Sequence, residues 1–90
     1  MTTAIELEDH EALVLFDLLQ REIDTNKEKR LAPLFDHPAE FWALNTLLIR
    51  LESLLSAPMK PDYEGILSDA RAQIMEECDP EGTYPVGNHT

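Results

Sequence analysis

Two Asp-His pairs, Asp9-His10 and Asp36-His37, are the side chains in this 90-residue chain best suited to holding a metal. Imidazole and carboxylate are common ligands of divalent ions. The spacing argues against a site, because no His-x3-His or Glu-x2-His pattern accompanies either pair. Both pairs also fall where a helix is expected to start, and an aspartate there is needed as a cap. His89 lies in the C-terminal tail. The lone cysteine, Cys78, has Glu76, Glu77 and Asp79 around it. Reactive cysteines sit in electropositive surroundings instead. No Ser-His or Cys-His arrangement supports nucleophilic catalysis, and no glycine-rich phosphate loop is present. Carboxylates are so widespread that no catalytic pair stands out, since catalysis needs a buried pair with separated pKa values. The expectation is a protein that is not an enzyme, with no cofactor and no metal.

Charge narrows the partners. The chain holds 18 Asp+Glu against 7 Lys+Arg, a net charge of −11. Binding a phosphate backbone needs clustered cations, so nucleic acid is not an expected partner. Lys27, Lys29 and Arg30 hold three of the cations, and they read as a solvated loop opposing the dipole at the end of the first helix. Glu76, Glu77, Asp79 and Glu81 read as a solvated helix end. One cysteine cannot form an internal disulfide, which fits a reducing, cytoplasmic setting. No apolar run is long enough to span a membrane. The opening MTTAIELEDHE has no basic region and no apolar run, so it does not read as a signal peptide.

The elements that position these residues are helices. Ile5 and Leu7 alternate with Glu6 and Glu8, which reads as a lead-in whose Leu7 staples onto helix 1, or as a short extended arm that pairs with another copy. Helix 1 is expected over about 9–24, capped by Asp9. Ala12, Leu15, Phe16, Leu19 and Ile23 form one apolar face, and Val14 and Leu18 a second stripe. A loop follows, with Pro33 opposing any helix and Leu31, Leu34 and Phe35 expected to pin it to the core. Helix 2 is expected over about 37–56, with Asp36 as cap and Pro38 in the first turn. It carries a broad arc of Phe41, Leu44, Leu47, Leu48, Leu51, Leu54 and Leu55, with Ala43. Trp42 and Ile49 form a separate stripe. Helix 3 is expected over about 62–78, with Tyr63, Ile66, Leu67, Ala70 and Ile74 on one face. Gly65 within it is read as a place where another helix could approach. The fold class is therefore all-α: a three-helix, bundle-like domain over 1–78 with a long central helix, and an irregular tail over 79–90. Helices 1 and 3 are expected to pack on the arc of helix 2.

Residues 8–25 (EDHEALVLFDLLQREIDT), 37–52 (HPAEFWALNTLLIRLE) and 61–71 (PDYEGILSDAR) together resemble a group of small bacterial helical proteins with no assigned activity. The resemblance covers about half of the chain. It implies a helical fold and a bacterial cytosolic origin, and no site residues to carry over.

The apolar surface points to protein partners. Three helices in one monomer cannot readily bury five apolar faces. A non-catalytic interaction module is expected, with Trp42, Ile49, Val14 and Leu18 at the interface, and with another protein or a second copy as partner. A homodimer is expected, since two-fold dimers are the commonest oligomers. Two readings compete: an acidic, antitoxin-like inhibitor that occupies a basic site, and a metal or enzymatic role for the Asp-His pairs. If instead arm, loop and tail cover both stripes, the chain is a monomer.

Overall fold

The computed structural model describes residues 1–84, and within them the fold is all helical, with no strand. Helix α1 spans Asp9–Leu19 and runs on into a π-helical stretch, Gln20–Thr25. Helix α2 spans Pro38–Leu54 and α3 spans Tyr63–Cys78. Short 3-10 turns, Ala32–Leu34 and Ala57–Met59, punctuate the two connections.

Local chemistry explains the ends. Glu8, not Asp9, caps α1, and its backbone N–H donates to the Glu11 carboxylate at 2.8 Å. This satisfies a donor that the helix leaves free and places acid at the positive end of the dipole. His37, not Asp36, caps α2. Its Nδ1 accepts from the Ala39 N–H at 3.0 Å, while the Asp36 N–H donates to Glu40 Oε1. Pro38 takes the first helical position, where its missing N–H costs nothing. Leu55 turns extended and ends α2 ahead of Pro58. Asp62 precedes α3 as expected.

The buried core is Leu13, Phe16, Leu19 and Ile23 from α1 and its extension, Leu48 and Leu51 from α2, and Leu67 and Ala70 from α3. Helix α2 is the longest helix and the middle one in chain order. The packing hub, however, is α1, the element that lies against both α2 and α3. The expected stacking of α1 and α3 on a broad α2 arc is corrected accordingly. Leu54, placed on that arc by periodicity, is 81% exposed, and Ala43 is exposed too. Leu34 is 73% exposed, so Leu31 alone of the two loop leucines packs on the core. At Gly65 an added Cβ would meet no atom within 4 Å. No helix approaches there, and the glycine leaves α3 weaker by about 1 kcal/mol than alanine would.

The end of α1 is closed by polar contacts that the sequence does not announce. Lys27 and Glu28 adopt left-handed backbone, and the Glu28 N–H reaches back to the Glu22 carbonyl at 2.9 Å. That reversal brings Arg30 onto the buried Glu22 side chain. Arg30 Nε donates to Glu22 Oε1 at 2.8 Å, and its Nη2 donates to Oε2. Arg21 Nε adds a longer contact. The Arg30 fork, above all, holds the Glu22 carboxyl below the ordinary glutamate value. A carboxyl whose folded pKa is depressed stabilises the fold above its unfolded pKa, and that contribution is lost as pH falls through the folded value. Glu22→Gln is therefore expected to be less stable than the parent at pH 7. The gap should close as pH drops below about 4.5, the ordinary glutamate value. Urea unfolding of both proteins at pH 7 and pH 3 checks this, and an equal gap at both would refute it.

Candidate interaction surfaces

The residues suggested by metal chemistry are engaged elsewhere. His37 caps α2 through Nδ1. His10 Nε2 lies 2.6 Å from Glu77 Oε1, tying the start of α1 to the last turn of α3. Among the described residues, no group of three or more His, Cys, Asp and Glu is placed to hold a metal. Asp79 turns its carboxylate onto the chain that follows. It accepts the Thr83 and Tyr84 N–H groups at 3.0 Å and the Thr83 hydroxyl at 2.9 Å, and these bonds hold it below the ordinary aspartate range. The helix end expected to be solvated thus makes internal contacts at two of its carboxylates, Glu77 and Asp79. Cys78 is exposed. Tyr84 is exposed as well, while Pro85, Val86 and His89 fall outside the described residues.

Val14 and Leu18 lie along a cleft of about 640 Å³ between α1 and α3, opposite Ile74 and Met75. Ile74 belongs to the apolar face of α3 in the sequence, whereas Met75 is 44% exposed and lies outside that pattern. The second stripe of α1 is thus one wall of a two-helix groove. Polar side chains close one side of it. Asp17 Oδ1 accepts the Tyr63 hydroxyl at 2.8 Å. Its Oδ2 accepts Arg21 Nη1 at 3.0 Å and Arg71 Nη2 at 3.2 Å. A single carboxylate on α1 therefore binds two donors from α3. Burial first, and then the Asp17 carboxylate, raise the Tyr63 phenol above its ordinary value. Periodicity places Asp17 only on the polar remainder of α1. Arg21 one turn on signals only the pair within α1; the contacts to Tyr63 and Arg71 depend on where α3 lies.

Trp42 and Ile49 are 63% and 57% exposed, on the side of α2 away from the buried Leu48 and Leu51. No arm or loop among the described residues covers them. At about 100° per residue, Pro38, Trp42, Asn45, Thr46, Ile49 and Ser53 share this outward lane. None of the six is charged, in a chain where 28% of residues are. Its two hydroxyls are satisfied within the helix: Thr46 donates to the Trp42 carbonyl at 2.9 Å and Ser53 to the Arg50 carbonyl at 2.8 Å. The lane can be taken out of water without stranding those donors. Among the described residues Trp42 and Ile49 do not line the Val14–Leu18 cleft, so the four residues expected at one interface occupy two surfaces.

A second cleft, of about 510 Å³, lies where the arm passes the start of α1 and the end of α2, lined by Ile5, Leu7, Ala12, Leu51, Leu54 and Leu55. Leu7 and Ala12 both line this cleft, and Leu7 is 42% exposed. Glu6, Glu8, Asp9 and Glu11 surround it with negative charge. No helix among the described residues is long and apolar enough to cross a membrane. Comparison of the chain with protein-family models, with curated proteins and with solved structures finds no match.

Proposed function

We propose that the protein is a small, non-catalytic helical module that acts in the cytoplasm by binding protein, and that it self-associates through the outward lane of α2. The observation that carries this reading is the exposure of Trp42 and Ile49 on a lane with no charged residue. Interface cores are depleted of charge and enriched in aromatic residues, tryptophan among them. An exposed, aligned Trp and Ile on the outside of a helix have no role in this chain's own core. The lopsided charge speaks against nucleic acid as partner.

Light scattering on a sizing column, across a concentration series to tens of micromolar, tests the proposal. The parent is expected to run as a dimer and Ile49→Glu as a monomer. Helical circular dichroism should be unchanged in the variant, because Ile49 contributes nothing to the buried core. A parent that stays monomeric throughout would remove self-association, and an Ile49→Glu variant that still dimerises would remove the α2 lane as its site.

A further inference from the structure

The cleft between the arm, the start of α1 and the end of α2 combines exposed apolar side chains with charge of a single sign. Ile5 and Leu54 are 79% and 81% exposed there, and Leu51 of the buried core lines the same cleft. Glu6, Glu8, Asp9 and Glu11 also line it, and no lysine, arginine or histidine does. We infer that this cleft docks a basic amphipathic helix of a partner protein. The helix sets its apolar side chains among Ile5, Leu7 and Leu54, and its lysines or arginines against the carboxylates. The inference rests on the reading of the chain as a protein-binding module and is independent of self-association through α2.

Charge selects the occupant. Asp17, Glu22 and Glu77 each meet an arginine or a histidine within the chain. None of the four carboxylates at the arm cleft is in an ion pair among the described residues. The Val14–Leu18 cleft is the contrast, because Arg21 and Arg71 line it and both pair with Asp17. Complementary charge at the arm cleft is left to a partner, and a net charge of −11 steers a cationic one toward it. A second copy of the chain or an anionic lipid surface carries the wrong sign. The carboxylates are spread around the cleft and are not gathered to hold one metal ion. That spread suits the separate ammonium or guanidinium groups of a peptide. Glu11 is held by the Glu8 N–H, so part of the acidic rim is ordered before binding. Shape agrees with charge. An amphipathic helix lays one apolar face into a groove. A helix is about 10 Å across with its side chains, so a cleft of about 510 Å³ admits the anchoring side chains and leaves the backbone outside. Leu54 takes no part in the chain's own core and is free to meet those anchors.

Anisotropy of a labelled leucine-lysine peptide tests this, with about 18 residues so that it is long enough to form a helix and leucines at i, i+3, i+4 and i+7. Two control peptides replace its lysines by glutamate or its leucines by serine. The leucine-lysine peptide is expected to bind, more weakly as salt rises, and neither control is expected to bind. Leu54→Ser should weaken binding about tenfold, the factor that loss of one buried leucine implies, with helical circular dichroism unchanged. Glu6→Gln with Asp9→Asn should weaken it about fivefold, as two exposed ion pairs would. Asp69→Asn with Glu76→Gln removes the same charge from exposed positions of α3 and should leave binding unchanged. Equal weakening by the two double variants would show attraction to net charge alone. Equal binding of either control peptide, or full binding by Leu54→Ser, would show that the apolar cleft takes no part. Each of these results overturns the inference. Ile49→Glu is expected to bind the peptide as the parent does, and loss of binding there would move the site to α2. A dimeric parent that binds no peptide would remove this inference and leave self-association standing.

Discussion

Phe16→Ala is expected to destabilise the protein by about 3–5 kcal/mol, the usual cost of emptying a buried phenylalanine site. Phe16 is 4% exposed and lies in the last turn of α1, the helix that touches both of the others. The loss is large against the total: a chain of this length has a stability of roughly 5–13 kcal/mol. A three-helix core with eight buried apolar side chains among the described residues offers few neighbours to fill the space. Leu54→Ala provides the contrast. Leu54 lies on the leucine-rich α2 but is 81% exposed, and its truncation should change stability by no more than about 0.5 kcal/mol. Urea unfolding of the two variants beside the parent measures both. If Leu54→Ala proves the costlier, the core is organised on the α2 arc and not on α1.

That contrast also marks how far the sequence could be read. The helices and much of their punctuation are local properties, so they are legible: Pro38 at a first turn, Asp62 before α3, Pro58 beyond the end of α2. The face of α3 is legible because its apolar residues occupy one side only, and Leu67 and Ala70 are indeed its buried pair. Helix α1 is different. From Ala12 to Leu19 all residues but Asp17 are apolar, so periodicity selects no single face. Leu13, among the most buried residues, is left out of the one-face reading for this reason. Which side of such a helix becomes core depends on where the other two helices lie, and no local rule encodes that. The Glu22–Arg30 pair is invisible for a related reason. It spans eight residues across a turn that depends on left-handed backbone at Lys27 and Glu28, residues that rarely adopt it. The outward lane of α2 could be read because it needs only the helix and its sequence: a Trp and an Ile aligned opposite a leucine arc, with no charge between them.

Asp17→Ala is expected to cost about 2–3 kcal/mol, although aspartate is a poor helix former and alanine the best. Three donors converge on this carboxylate, and two of them, Tyr63 and Arg71, come from α3. Arg21 and Arg71 are part-exposed and can turn to water, so their loss is small. Tyr63 is held more firmly. Its ring packs against the core, and its hydroxyl loses a charged acceptor that water replaces only in part. Hydrogen bonds to charged groups contribute about 1.5–3 kcal/mol, and most of the expected loss comes from this one. Tyr63→Phe should then cost about 1–2 kcal/mol, and in the Asp17→Ala background nearly nothing, a coupling that a double-mutant cycle by urea unfolding reads directly. Additive losses would show that Asp17 and Tyr63 act separately. The Tyr63 phenol also has a pH signature at the alkaline end, set by its burial first and then by Asp17. The folded phenol titrates above its unfolded value, so its contribution is complete below about pH 10 and is lost as pH rises from there through the folded value. Tyr63→Phe, which cannot ionise, should therefore close on the parent in stability above pH 10, and a gap that stays constant to the alkaline limit would show that neither burial nor Asp17 raises the phenol.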